Sequence, residues 1–91
     1  MKYYLTPMFD SRKSFYNKAI VVTADNSINL YSYNTLVAKI HNDGTIVLTA
    51  NSAHYTNTTL RHIKEFLKQN NFKADSKKQL LTDYKTAVLI G

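Results

Sequence analysis

Cysteine is absent from the 91 residues. That removes a disulfide framework and a thiolate metal site, and leaves packing or a partner subunit to hold the fold. A reducing compartment such as the cytoplasm fits this absence. Glycine occurs twice, at Gly44 and Gly91, so no glycine-rich loop is available to cradle a phosphate. Acids are scarce as well: six Asp and Glu against twelve Lys and Arg give a net charge of +6, which favours polyanions or acidic protein surfaces as partners. Long apolar runs are missing. Met1 to Tyr16 mixes Lys2, Asp10, Arg12 and Lys13 among its apolar residues, so it lacks the continuous core of a signal peptide. No run approaches a membrane span, and no membrane partner is expected.

What is present is a globular balance, 44% hydrophobic and 20% charged residues, that supports folding through burial. A chain of this length makes one domain, residues 1–91, with a single core. From Lys18 the pattern has period two, broken at intervals by turn residues. "KAIVVTA" (18–24) is a β-branched run followed by Asp25 and Asn26, which tolerate positive φ in a two-residue hairpin. "SINLYSY" (27–33) sets Ile28 and Leu30 on one face and Tyr31 and Tyr33 on the other. Asn34 and Thr35 turn the chain into "LVAKI" (36–40), with Leu36, Ala38 and Ile40 opposed to Val37 and Lys39. "NDG" (42–44) is the strongest hairpin signal, and "TIVLTA" (45–50) closes the sheet. The expectation is an α+β fold whose four-stranded antiparallel meander, about Lys18 to Ala50, needs a cover.

The period changes from two to 3.6 across Asn51 to Thr58, and "TTLRHIKEFLKQNNF" (58–72) supplies the cover. The main helix, about Thr59 to Asn70, is capped by Thr58 or a neighbouring Thr and buries Leu60, Ile63 and Leu67, with Phe66 extending the stripe. Asn71 suits a left-handed stop, with Phe72 packing back on Leu67. "SKKQ" (76–79) opens a second short helix carrying Leu80, Leu81 and Tyr84. The apolar tail "AVLIG" (87–91) reads as a strand, a helix continuation or a contact between chains, and a homodimer is the expected cover for Val88, Leu89 and Ile90.

One edge of the main helix carries Arg61, Lys64 and Lys68, at spacings that follow a phosphate backbone. Lys77 and Lys78 open the next helix and Arg12 and Lys13 stand in the N-terminal segment, two further pairs that extend the track if folding gathers them. Tyr31 and Tyr33 offer rings for stacking on bases or anchoring a protein interface. The bland alternatives are a solvated helix face, with Glu65 pairing Arg61 and Lys68, and ordinary half-buried sheet tyrosines. His41, His54 and His62 lack close ligand spacing, so no zinc site or other cofactor is expected, and His62 is read as a solvent-facing neighbour of Glu65. Ser, Asp and His form no nucleophile motif. The chain is therefore read as a binding protein, not an enzyme.

"SRKSFYNKA", "LYSYNTLVAKI" and "TTLRHIKEFLKQNNF" together resemble short uncharacterised domains of phages and mobile elements of Gram-positive bacteria, over about residues 11 to 72. In such relatives Asn17 and Asn71 stand where glycine is common, which implies left-handed backbone at both. The resemblance implies a small non-catalytic phage protein whose partner is nucleic acid or a host nucleoprotein. The alternative is an anti-CRISPR-like inhibitor of a host defence nuclease, docking through Tyr31, Tyr33 and the helix.

Overall fold

The computed structural model describes residues 1–90 and is an α+β fold. Six strands, β1 (Lys2–Tyr4), β2 (Ala19–Thr23), β3 (Ser27–Ser32), β4 (Thr35–His41), β5 (Ile46–Thr49) and β6 (Lys85–Ala87), lie side by side in chain order. Helices α1 (Asn57–Gln69) and α2 (Lys77–Asp83) fall between β5 and β6. Neighbouring strands are antiparallel except β5 and β6, which run parallel because the two helices carry the chain back to its starting end. The four expected strands are thus the middle of a wider sheet. β1 was hidden in a short, charged N-terminal stretch, and β6 took the first residue of the apolar tail with two polar residues before it. Val88 and Ile90 beyond β6 are exposed, and Gly91 lies outside the described residues.

The inner face of the sheet is read off the register: Val21 pairs with Leu30, Leu30 with Ala38 and Ala38 with Leu48, and all four are fully buried. Ile63, Phe66 and Leu67 of α1 and Leu80 of α2 complete the core over this row. Burying Phe66 contributes roughly 2–3 kcal/mol of transfer free energy, with the close packing of its neighbours added to that. Leu30 pairs with Ala38 but Tyr31 pairs with Leu36, so Val37 is the extra residue of a β-bulge. The bulge puts both Val37 and Ala38 in the core and turns Leu36 to the opposite face. Strict alternation along "LVAKI" therefore misassigns Leu36 and Val37.

The turns follow local chemistry with two exceptions. Asn42, Asp43 and Gly44 form a three-residue hairpin loop with Gly44 at φ 89, and the His41 N–H is 2.8 Å from the Thr45 carbonyl. Asp25 and Asn26 close β2 on β3 without left-handed residues. The β3–β4 turn falls on Tyr33 and Asn34, at φ 51 and 66, one residue earlier than Asn34 and Thr35. Helix α1 starts earlier than expected, since Thr56 is the capping residue and accepts from the Thr59 N–H. It stops as expected: Asn71 is left-handed at φ 68, and the Phe72 N–H donates to the Leu67 carbonyl at 2.9 Å. Ser76 caps α2, whose Leu80 is buried and Leu81 exposed. Among the described residues no helix is long and apolar enough to cross a membrane.

Candidate nucleic-acid interface

Glu65 is the one acid of α1, and it faces inward. Its carboxylate accepts from the backbone N–H groups of Met8 (3.0 Å), Phe9 (3.0 Å) and Asp10 (2.8 Å), and from Gln69 Nε2 (2.7 Å). At 1% exposure it pairs with neither Arg61 nor Lys68, contrary to the solvated-face expectation. The N-terminal loop that it gathers brings Asp10 against Arg61, whose Nη1 is 2.9 Å and 3.1 Å from the two carboxylate oxygens. Burial alone would raise the Asp10 pKa, but the Arg12 N–H and the Arg61 guanidinium outweigh it and hold the carboxyl below its ordinary value. The loop thereby sets Arg12 beside Arg61.

Two Tyr-Asn dipeptides stand at this end of the sheet. In the turn from Phe15 to Lys18, Tyr16 and Asn17 take φ 53 and 61; in the β3–β4 turn Tyr33 and Asn34 take φ 51 and 66. Asparagine tolerates that backbone, whereas a bulky aromatic residue there is an outlier. The Tyr33 N–H donates to the Lys18 carbonyl at 2.9 Å and ties the turns together. Between the turns and α1 lies a cleft of about 330 Å³ whose walls include Arg12, Tyr16, Lys18, Tyr33, Arg61 and His62. Tyr16 and Lys18 were not among the sequence candidates. The repeated "YN", each next to a strand, is the signal that could have found Tyr16.

His62 is fully buried, not solvent-facing. Its ring meets Phe15 edge-on at 4.6 Å between centroids and lies 5.9 Å from the Tyr33 ring. Nδ1 is 2.8 Å from Ser32 Oγ, itself 3.0 Å from Thr59 Oγ1. Nε2 is buried with no hydrogen-bond partner. Burial lowers the pKa to about 4, against a smaller opposing pull from Asp10, so the imidazole is neutral at pH 7. A second cleft of about 350 Å³, which shares Tyr33 with the first, is lined by Ser32, Thr35, Thr59 and His54 among others. Ser32 is 2% exposed. His41, at the end of β4, and His54, in a 3-10 turn (Ser52–His54), do not join His62. No group of three His, Asp or Glu among the described residues could hold a metal ion.

The remaining candidates are dispersed. Lys64 and Lys68 are half-buried on the same ridge of α1 as Arg61, and among the described residues neither forms an ion pair. Lys77 sits over the Tyr55 ring at 5.5 Å to its centroid, and Lys78 and Lys13 are exposed and do not line the cleft. Tyr31 and Tyr33 do not share a face, because Tyr33 belongs to the left-handed turn and swings to the helix side. Tyr31 pairs with Ile20 and Leu36, and Ile20 with Tyr4, on the open face of the sheet. Beside that row run Lys2, Lys39 and Lys85, linked through Val22, Asn29 and Val47.

Fold and site define a small α+β domain with a basic, aromatic cleft at one end of a six-stranded sheet. Residues 3–82 match the model of a family of unknown function, DUF8033, and the chain belongs to that family. No curated protein and no solved structure matches it.

Proposed function

We propose that this protein is a small non-catalytic domain that binds nucleic acid, bare or within a host nucleoprotein, through the cleft and the α1 ridge that meets it at Arg61. The observation that carries this reading is the convergence of Arg12, Lys18 and Arg61 with Tyr16 and Tyr33 on one concave surface of a chain with net charge +6. Lys64 and Lys68 extend the cationic track along the helix. Asp10 offsets part of the Arg61 charge, so affinity rests on several weak phosphate contacts and falls with salt. Two to four such contacts give a slope of log affinity on log salt of roughly −1.5 to −3 for single strands and −2 to −3.5 for duplex.

The test is a titration of labelled single strands and duplex at two salt concentrations, repeated with Lys64→Glu/Lys68→Glu and with Arg12→Ala. Weakening in both variants, with circular dichroism unchanged, supports the reading. Binding that is absent at low salt, or indifferent to all three changes, removes it. Tyr31→Ala/Lys39→Glu, on the open face of the sheet, is the control and leaves binding intact if the cleft is the site.

Tyrosine and arginine are also the residue types of protein hot spots. The rival is therefore an anti-CRISPR-like inhibitor, of phage or mobile-element origin, that docks on a defence nuclease in the host cytoplasm. It takes the lead if bare nucleic acid does not bind. A homodimer would cover Val88 and Ile90, which are 80% and 89% exposed; light scattering of the full chain and of a chain lacking residues 88–91 tests it.

A further inference from the structure

Resting on that reading, we infer that the cleft captures one unstacked nucleotide, its base on the rings of Tyr16 and Tyr33 and its phosphate on Arg12 and Arg61, so that single strands are preferred to duplex.

A tyrosine in the left-handed region is disfavoured because Cβ crowds the following carbonyl, and glycine or asparagine would relieve it. Both tyrosines stand first in two-residue turns that demand positive φ, and side-chain packing does not account for choosing tyrosine there: Tyr16 is 74% exposed and Tyr33 51%. Strain of this kind, borne by exposed side chains at the mouth of a cleft, points to a ligand for those side chains. Their chemistry is a flat, polarisable face, the partner of another flat ring.

The second observation is His62. Its Nε2 is buried and has no partner, while the ring forms part of the cleft wall. A buried polar atom without a hydrogen bond carries a desolvation cost that a ligand atom would remove. The third is the size and charge of the cleft: about 330 Å³, at the small end of ligand pockets, with two guanidinium groups at its edge. A planar ring on an anion fits all three. A duplex keeps its bases stacked inside and presents none to the tyrosines, whereas a single strand presents one without unpairing.

The probe is a single-stranded 10-mer carrying 2-aminopurine, compared with the same strand abasic at that position and with its duplex. The intact strand is expected to bind roughly tenfold more tightly than the abasic one, with the fluorophore quenched on binding. Tyr16→Gly/Tyr33→Gly, which removes both rings and the strain, is expected to bind the two strands equally. Tyr33→Phe keeps the stacking face and should behave as the unaltered chain does. Competition by a nucleoside monophosphate, but not by ribose phosphate, shows that the base is read even outside a strand. If the abasic strand binds as well as the intact one, or the glycine variant keeps the discrimination while salt-sensitive binding persists, base capture is wrong and the broader nucleic-acid reading stands. If no strand binds at low salt, both fall.

Discussion

Glu65 holds the N-terminal loop by accepting three backbone N–H groups that no strand or helix satisfies. Glu65→Ala is expected to cost roughly 3 kcal/mol, since charge-assisted hydrogen bonds are lost and a buried space opens. Limited proteolysis should then cut between residues 6 and 14 while the sheet resists. The tyrosines behave in the opposite sense. Tyr16→Gly and Tyr33→Gly should each raise stability by about 0.5–1 kcal/mol in denaturant melts, as relief of left-handed strain exceeds the entropy glycine adds to the unfolded chain. His62 adds a pH dependence. Its folded pKa, about 4, lies below the ordinary 6.5, so between those values the unfolded chain binds the extra proton. Stability therefore falls as pH drops from about 6.5 to 4, by up to about 3 kcal/mol, and this contribution is flat below 4. Asp10, held below its ordinary value, adds its own loss only at lower pH still. Melts of His62→Gln at pH 7, 5 and 4 should lack the slope between 6.5 and 4.

Among the elements, α1 does two jobs with opposite faces. Ile63, Phe66 and Leu67 close the core, and Arg61, Lys64 and Lys68 stay on the outer ridge. Phe66→Ala should cost about 3–5 kcal/mol, because a close-packed ring leaves a cavity that its strand neighbours cannot fill. For a domain of this size that is a large part of the total, and thermal melting should show it directly. The Tyr-Asn turns form a unit through the Tyr33 N–H and the Lys18 carbonyl, so strain at one is supported by the other.

For the whole molecule, the sheet has one covered face and one open face, and the two differ in kind. The covered side ends in the cleft of about 330 Å³; the open side carries Tyr4, Tyr31 and Ile20 with Lys2, Lys39 and Lys85, around smaller hollows of about 190 and 160 Å³. Beyond β6, Val88 and Ile90 are exposed while Leu89 is half-buried beside Thr49 and His54. Removing residues 88–91 should therefore cost no more than about 1–2 kcal/mol, with Leu89 as the main loss.

The α+β class, the middle four strands, the Asn42–Gly44 hairpin and the stop of α1 at Asn71 were legible in the residues alone, because each rests on interactions a few residues long. The shared ridge of Arg61, Lys64 and Lys68 was legible for the same reason, since helical spacing is local. Long-range packing set the outer strands β1 and β6, whose three-residue segments carry no periodicity and gain a ladder only by meeting β2 and β5. It also decided the bulge at Val37, which reverses a face that alternation had assigned. The site lay still further from reach. Glu65, Asp10 and Arg61 meet across more than fifty residues, and a carboxylate that ties down a loop has the same helical spacing as one that pairs with lysine. Burial of His62 depends on Phe15 arriving from the other end of the chain. What joins Arg12 and Tyr16 to Arg61 is the closing of the N-terminal loop over the helix, and Tyr33 meets them only because α1 packs across the end of the sheet, long-range contacts that no local pattern encodes.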